Sequence, residues 1–224
     1  MDRRSRIEEA LLLGERTIPQ YLEYESPSIH VTEWLRYACI PVYEQERAAK
    51  DPKLASSMEK ALSLISGAVS FRVGFMVLPL VWNEEGFPVF PFEQRSEKLR
   101  KNLLGCDRAV LFAATIGSGI DRLIRRFEKA DPQMGLLLQG LGAERVESLC
   151  DAFDEEVKAV CKEHGKETRF RYSPGYGDLP IEVQRQFLPL LDAERRLGIT
   201  LSDSCLMAPS KSVTAIIGVA EEGN

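Results

Sequence analysis

The stretch CDRAVLFAATIGSGIDRLIRRF, residues 106–127, changes character once, and that change decides the fold. Apart from Asp107 and Arg108, residues 106–117 form a nearly continuous apolar run, the pattern of a strand buried on both faces. From Gly117 the chain turns through GSG into IDRLIRRF, which reads as a helix. A buried strand feeding directly into a helix calls for a sheet with helices against it. The turn itself carries two readings. GSG is a simple way to pass from strand to helix, and a helix start also offers free N–H groups and a positive dipole end to an anion.

Toward the N-terminus, SEKLRKNL (96–103) reads as a helix capped by Ser96, with Lys98, Arg100 and Lys101 exposed. FRVGFMVLPLVW (71–82), the turn EEG (84–86) and FPVFPF (87–92) read as a hairpin, prolines confining the return strand to an edge. An amphipathic helix is expected over 52–69, with Leu54, Met58, Ala61, Leu62 and Ile65 at three-and-four spacing. VTEWLRYACI (31–40) places Trp34, Leu35 and Ala38 on one helical face, with Thr32 as the expected cap. Residues 1–14 are a short charged helix followed by a polar stretch ending at SPSIH. The chain therefore divides into an N-terminal helical arm, 1–30, and a main domain, 31–224.

Toward the C-terminus, one apolar stripe runs from about Pro132 to His164, through Leu137, Leu141, Leu149, Phe153, Val157 and Val160. Gly140 and Gly142 either break it into two helices or admit a close neighbour. Glu144, Glu147 and Asp151 lie on its flank, as a solvated acidic face or as ligand contacts. PIEVQRQFLPLLDAERRLG (180–198) reads as one helix capped by Asp178, with Pro180 in its first turn and Gly198 at its end. A short strand and loop (199–213) and a last strand, VTAIIGVA (213–220), follow. The alternation is that of an α+β domain.

Composition narrows the function classes. A formal charge of −5 lacks the basic bias of a nucleic-acid protein. The longest apolar run, 73–82, is about half of what a spanning helix needs. Five cysteines at wide spacing without a CxxC, and the lack of a signal peptide, indicate a reducing, cytoplasmic setting. Cys161 and His164 have CxxH spacing but lack the further ligands that zinc requires. The serines around 208–213 have no histidine to activate them, which leaves a hydrolase without a nucleophile–base pair.

TRFRYSPGYGDLP (168–180) is different again: no apolar period runs through it. Pro174 restricts Ser173 to an extended shape, and Gly175 and Gly177 allow positive φ or the close approach of a ligand. Tyr176 presents an aromatic face suited to a purine ring or to a cation such as a sulfonium. Arg171 is able to hold a carboxylate bidentately. Those parts suit a small zwitterionic, nucleotide-like ligand, yet Pro-Gly-Tyr-Gly-Asp is equally good turn chemistry.

RYSPGYGDLPIEVQRQFLPLLDAERRLGITLSDSCLMAPSKSV (171–213) resembles the activation domain of vitamin B12-dependent methionine synthase. The family's Arg-x-x-Pro-Gly-Tyr loop, its helix, its Gly-Ile/Met-x-Leu step into Asp-Ser and its Met-x-Pro-x-x-Ser-Val turn occur in order. GCDRAVLFAATIG and LLLQGLGAERVESLCDAF, within 105–153, resemble the short, free-standing members, and WLRYACIPV (34–42) does so more loosely. The resemblance implies a mixed, largely antiparallel twisted sheet with helices packed on it and a cleft. It implies S-adenosylmethionine (SAM) as ligand, a cobalamin-binding methionine synthase module as partner and a flavodoxin-like electron donor. The function implied is reductive methylation of oxidised cob(II)alamin, by a chain unable to make methionine alone. Residue by residue, it places Arg171 at the methionyl carboxylate, backbone contacts at Ser173, the motif's Gly-Tyr at Gly175 and Tyr176, and Glu147 near the SAM amino group. Glu144 is the alternative if the helix register slips. The likeness lacks an acidic contact from the N-terminal segment. It also lacks a tyrosine after the Ser-Val turn, where this chain reads Ile216, Ile217 and Gly218. That gap motivates a second reading, an accessory or chaperone protein for a corrinoid methyltransferase that does not bind SAM.

Overall fold

A computed structural model describes residues 1–13, 18–41, 43–45 and 50–223. Its centre is a five-stranded sheet: β1 (Gln20–Tyr24), β2 (Phe71–Pro79), β5 (Cys106–Thr115), β9 (Ser212–Glu221) and β6 (Lys166–Thr168), in that spatial order. Every pairing described is antiparallel. The largely antiparallel sheet with helices on it is borne out.

Two apolar cores explain why the central strands lack alternation. Val73, Phe75, Val110, Phe112, Ala215 and Ile217 point to one face, where they meet α1 (Arg3–Leu12), α2 (Val31–Tyr37), α3 (Pro52–Ile65), α5 (Gly119–Ala130) and α6 (Pro132–Glu163). Phe153 of α6 fills that core, its ring centroid 5.4 Å from Phe75 and 5.0 Å from Phe112. Met76, Leu78, Ala109, Leu111 and Ile216 point the other way, under α4 (Glu97–Asn102), α7 (Gln184–Leu190) and α8 (Ala193–Leu197). With oil on both sides, a strand has no reason to place a polar residue at every second position.

α6 runs unbroken for 32 residues, capped by Asp131, whose side chain accepts from the Met134 N–H at 3.1 Å. Gly140 does not break it. A Cβ there would lie 2.6 Å from the Ala38 nitrogen, so the glycine admits the end of α2. The GSG turn has a similar cause. A Cβ on Gly119 would sit 1.7 Å from the Ala68 carbonyl oxygen, so glycine lets α5 begin tight against the chain that follows α3.

Four local expectations are corrected. Thr32 is not the cap of α2; His30 holds that position, without a side-chain cap. The hairpin is confined to β3 (Val81–Trp82) with β4 (Pro88–Val89), while β2 pairs with β1 and β5 instead. Phe90 and Phe92 are not edge-strand residues but stack at 4.8 Å inside the second core. The 180–198 helix is three pieces: a 3₁₀ turn Ile181–Val183, then α7 and α8. Pro189 stands in α7 without an N–H, and Asp192 turns left-handed at φ 47° before α8. Gly198 ends α8 at φ 71° as expected. A last pair, β7 (Thr200–Leu201) with β8 (Met207–Ala208), leads into β9.

Residues 20–24, read from sequence as polar connection, are the edge strand β1. Only Leu22 is fully buried in it, so the alternation is too weak to announce a strand. Among the described residues no helix is long and apolar enough to cross a membrane.

Candidate functional site

After β6 the chain continues beside β9. The Arg169 N–H donates to the Gly218 carbonyl at 2.8 Å, and Tyr172 exchanges both backbone hydrogen bonds with Ile216 at 2.9 Å. In an antiparallel pair, the neighbours of such a residue turn their backbone groups the other way. The backbone groups of Arg171 and the Ser173 N–H therefore face outward, at the open edge of the sheet.

The loop then closes on itself. The Tyr176 N–H donates to the Ser173 carbonyl at 3.0 Å, and the Gly175 N–H to the Leu179 carbonyl at 2.9 Å. Gly175 and Gly177 hold φ of 87° and 62°, the left-handed region that glycine enters without strain. A Cβ on Gly177 would also meet the Tyr172 hydroxyl at 2.4 Å. Tyr176 sets its ring edge-on to Tyr172, centroids 5.4 Å apart, and stays 66% exposed, leaving a free aromatic face.

Asp178 does not start the helix that follows. Its carboxylate accepts from the Ser96 hydroxyl and from the Glu97 and Lys98 N–H groups, at 2.9 and 3.2 Å for the latter two. It thus shares with Ser96 the capping of α4 and fastens the loop to that helix. The Ser96 hydroxyl, with the Lys98 and Glu97 N–H groups, holds the Asp178 carboxyl below its ordinary range.

Arg171 reaches back to α6. Its guanidinium lies 2.8 Å from Asp151 and 3.4 Å from Glu147, and Nη1 is buried without an acceptor. Asp154, one turn on, feels this charge, and its Oδ1 is buried and unpaired. Burial pushes the Glu147 and Asp154 carboxyls above their usual range, and Arg171 only partly counters it. Positions 147, 151 and 154 share one helical face, so one arginine stands before three acids. Such a site offers a fork for a carboxylate and acids for an ammonium group, the two ends of an amino acid. The sequence signal for Asp154 is its place three residues after Asp151, which itself stands four after Glu147.

Glu144 lies apart from this group. It is 1% exposed and accepts from the His30 N–H and the Ser148 hydroxyl, each at 2.8 Å, beside Arg145. Arg145 in turn donates to the Pro27 and Ser28 carbonyls at 2.6 and 2.7 Å. The pair ties residues 26–30 to α6; it is no solvated face. Clefts of about 910, 600 and 530 Å³ occur among the described residues, and none is lined by residues 171–176.

The model of a known family, described as the activation domain of vitamin B12-dependent methionine synthase, matches residues 99–224. No curated protein matches the chain in sequence. Among solved structures, the chain is similar to the MetH reactivation domain bound to AdoHcy, at 17% identity and a TM-score of 0.63. That likeness covers 89% of this chain and 78% of the other, and it is a likeness of fold.

Proposed function

Because the chain belongs to the vitamin B12-dependent methionine synthase activation-domain family, we propose that it is a SAM-binding activation subunit that docks on a cobalamin-carrying methionine synthase. There it supports reductive methylation of oxidised cob(II)alamin to methylcobalamin, with a flavodoxin-like donor supplying the electron. The observation that carries this reading is the juxtaposition of Arg171 with Glu147 and Asp151 beneath an exposed tyrosine.

The residues fit a zwitterionic sulfonium ligand. Arg171 takes the ligand's carboxylate through its planar fork. Glu147, with Asp151 beside it, takes the ammonium group. The outward backbone at Ser173 and the Gly175 turn bind the polar edge of the ligand, and the free Tyr176 face lies against the cation or the base. The sulfonium makes its own methyl group electrophilic, so what this chain contributes is binding and orientation rather than acid–base catalysis.

Isothermal calorimetry with SAM, with and without the cobalamin-bearing partner, tests the reading. Wild-type chain is expected to bind, and Arg171→Ala to bind at least about tenfold more weakly, as befits the loss of a charge-assisted contact. No SAM binding in the partner's presence, or no loss in the variant, overturns it.

Two observations favour the second reading. Arg171 is already engaged by Asp151 at 2.8 Å, and β9 carries no tyrosine toward the loop. An accessory protein for a corrinoid methyltransferase would capture its client without SAM and give no SAM-dependent reactivation.

A further inference from the structure

The cleft of about 910 Å³ lies away from the Arg171 loop, between α1, β1, the start of β2 and the end of α8. Arg3, Arg4, Arg6, Arg72 and Arg196 line it, against the acids Asp2, Glu23 and Glu156.

Three of these arginines are already answered. Arg3 lies 3.4 Å from Glu156 and over the Tyr24 ring. Arg4 pairs with Glu163, and Arg196 lies over the Tyr21 ring and 3.8 Å from Asp192. Arg6 and Arg72 differ. Arg6 donates to the Tyr21 carbonyl at 3.1 Å, and Arg72 to the Arg196 and Leu197 carbonyls at 3.4 and 2.9 Å. Neither forms an ion pair among the described residues, although Glu23 stands opposite Arg72 in the β1–β2 register. Both are partly buried, and the Arg72 Nε is buried without an acceptor.

Carbonyl oxygens satisfy N–H groups but leave the guanidinium charge uncompensated, and charge held partly out of water is costly until an anion meets it. A guanidinium fork matches an oxyanion with several oxygens better than a point charge does. We propose that this cleft binds a small phosphate-bearing molecule, with Arg6 and Arg72 as its anion-contacting residues. The site is separate from the SAM reading and does not rest on it.

Inorganic diphosphate, titrated calorimetrically into the full chain, is the probe. One-site binding that weakens with salt is expected, as is a loss of about tenfold or more in Arg6→Gln. Arg95→Gln, an exposed arginine outside the cleft, is expected to change nothing. Because Arg72 also holds the end of α8, Arg72→Lys serves as the second variant. It keeps the charge but loses the fork, and weaker diphosphate binding at an unchanged melting temperature is expected. Arg171→Ala is expected to leave diphosphate binding intact. Absence of one-site binding in the wild type, or equal weakening in the Arg95 or Arg171 variants, overturns the proposal.

Discussion

At Gly140 two effects of opposite sign compete. Glycine inside a helix costs about 1 kcal/mol relative to alanine, so replacement should help α6 on propensity alone. The added Cβ, however, would stand 2.6 Å from the nitrogen and 2.8 Å from the Cβ of buried Ala38, backbone that cannot swing aside. Overpacking of that kind costs about 1–3 kcal/mol. Gly140→Ala is therefore expected to lower stability in urea unfolding by about 1 kcal/mol net, and a gain would show that α2 yields easily. Glu147 carries a different conflict. Burial holds its folded carboxyl above the unfolded value, so its ionised form costs the fold stability, and that cost vanishes once pH falls below the unfolded value. Glu147→Gln is expected to raise the melting temperature at neutral pH, with the gain fading in acid, while SAM binding weakens. Equal gains at both pH values would refute the assignment. The sequence leaves Gly140 with two roles and Glu147 with a rival in Glu144. Only the position of Ala38 chooses between a break and a close approach, and only Arg171 separates Glu147 from buried Glu144.

The elements were legible wherever a period repeated long enough. α6 shows its stripe over 32 residues, and β5 and β9 show theirs as runs without polar residues, Ala109 to Ala114 and Ala215 to Ala220. The segment 180–198 was misread because its stripe is real while Pro189 and left-handed Asp192 divide it. Asp178 was assigned to the wrong helix for a related reason. It precedes Pro180 as a cap should, yet its carboxylate serves α4, 82 residues back at Ser96. A depressed carboxyl stabilises above its unfolded pKa, and that stability is lost as pH falls through the folded value. Asp178→Asn is thus expected to remove this carboxyl's share of the acid-side dependence and to speed amide exchange in α4. α7 should exchange unchanged. Faster exchange in α7 instead would restore the capping role read from sequence.

Across the whole molecule, the first thirty residues pose the sharpest question. β1 pairs with β2 along five register positions, and Ile7, Ala10 and Leu11 are buried in the first core. A chain beginning at residue 31 would bare the β2 edge and that apolar surface. Such a chain is expected to aggregate or to melt well below the full chain; an unchanged melting temperature would make 1–30 a dispensable arm. By itself the sequence determined the α+β class, the doubly buried strands, the apolar stripe of the 132–164 segment and the composition of the 171–176 loop. Each of these is written in short-range periodicity, or in residues whose backbone freedom is intrinsic. The tertiary structure alone decided that residues 20–24 pair with β2, that Asp178 caps α4, and that Arg171 faces the acids of α6. Those are meetings between segments distant in sequence, and local pattern records that a residue is buried or free without recording what it meets.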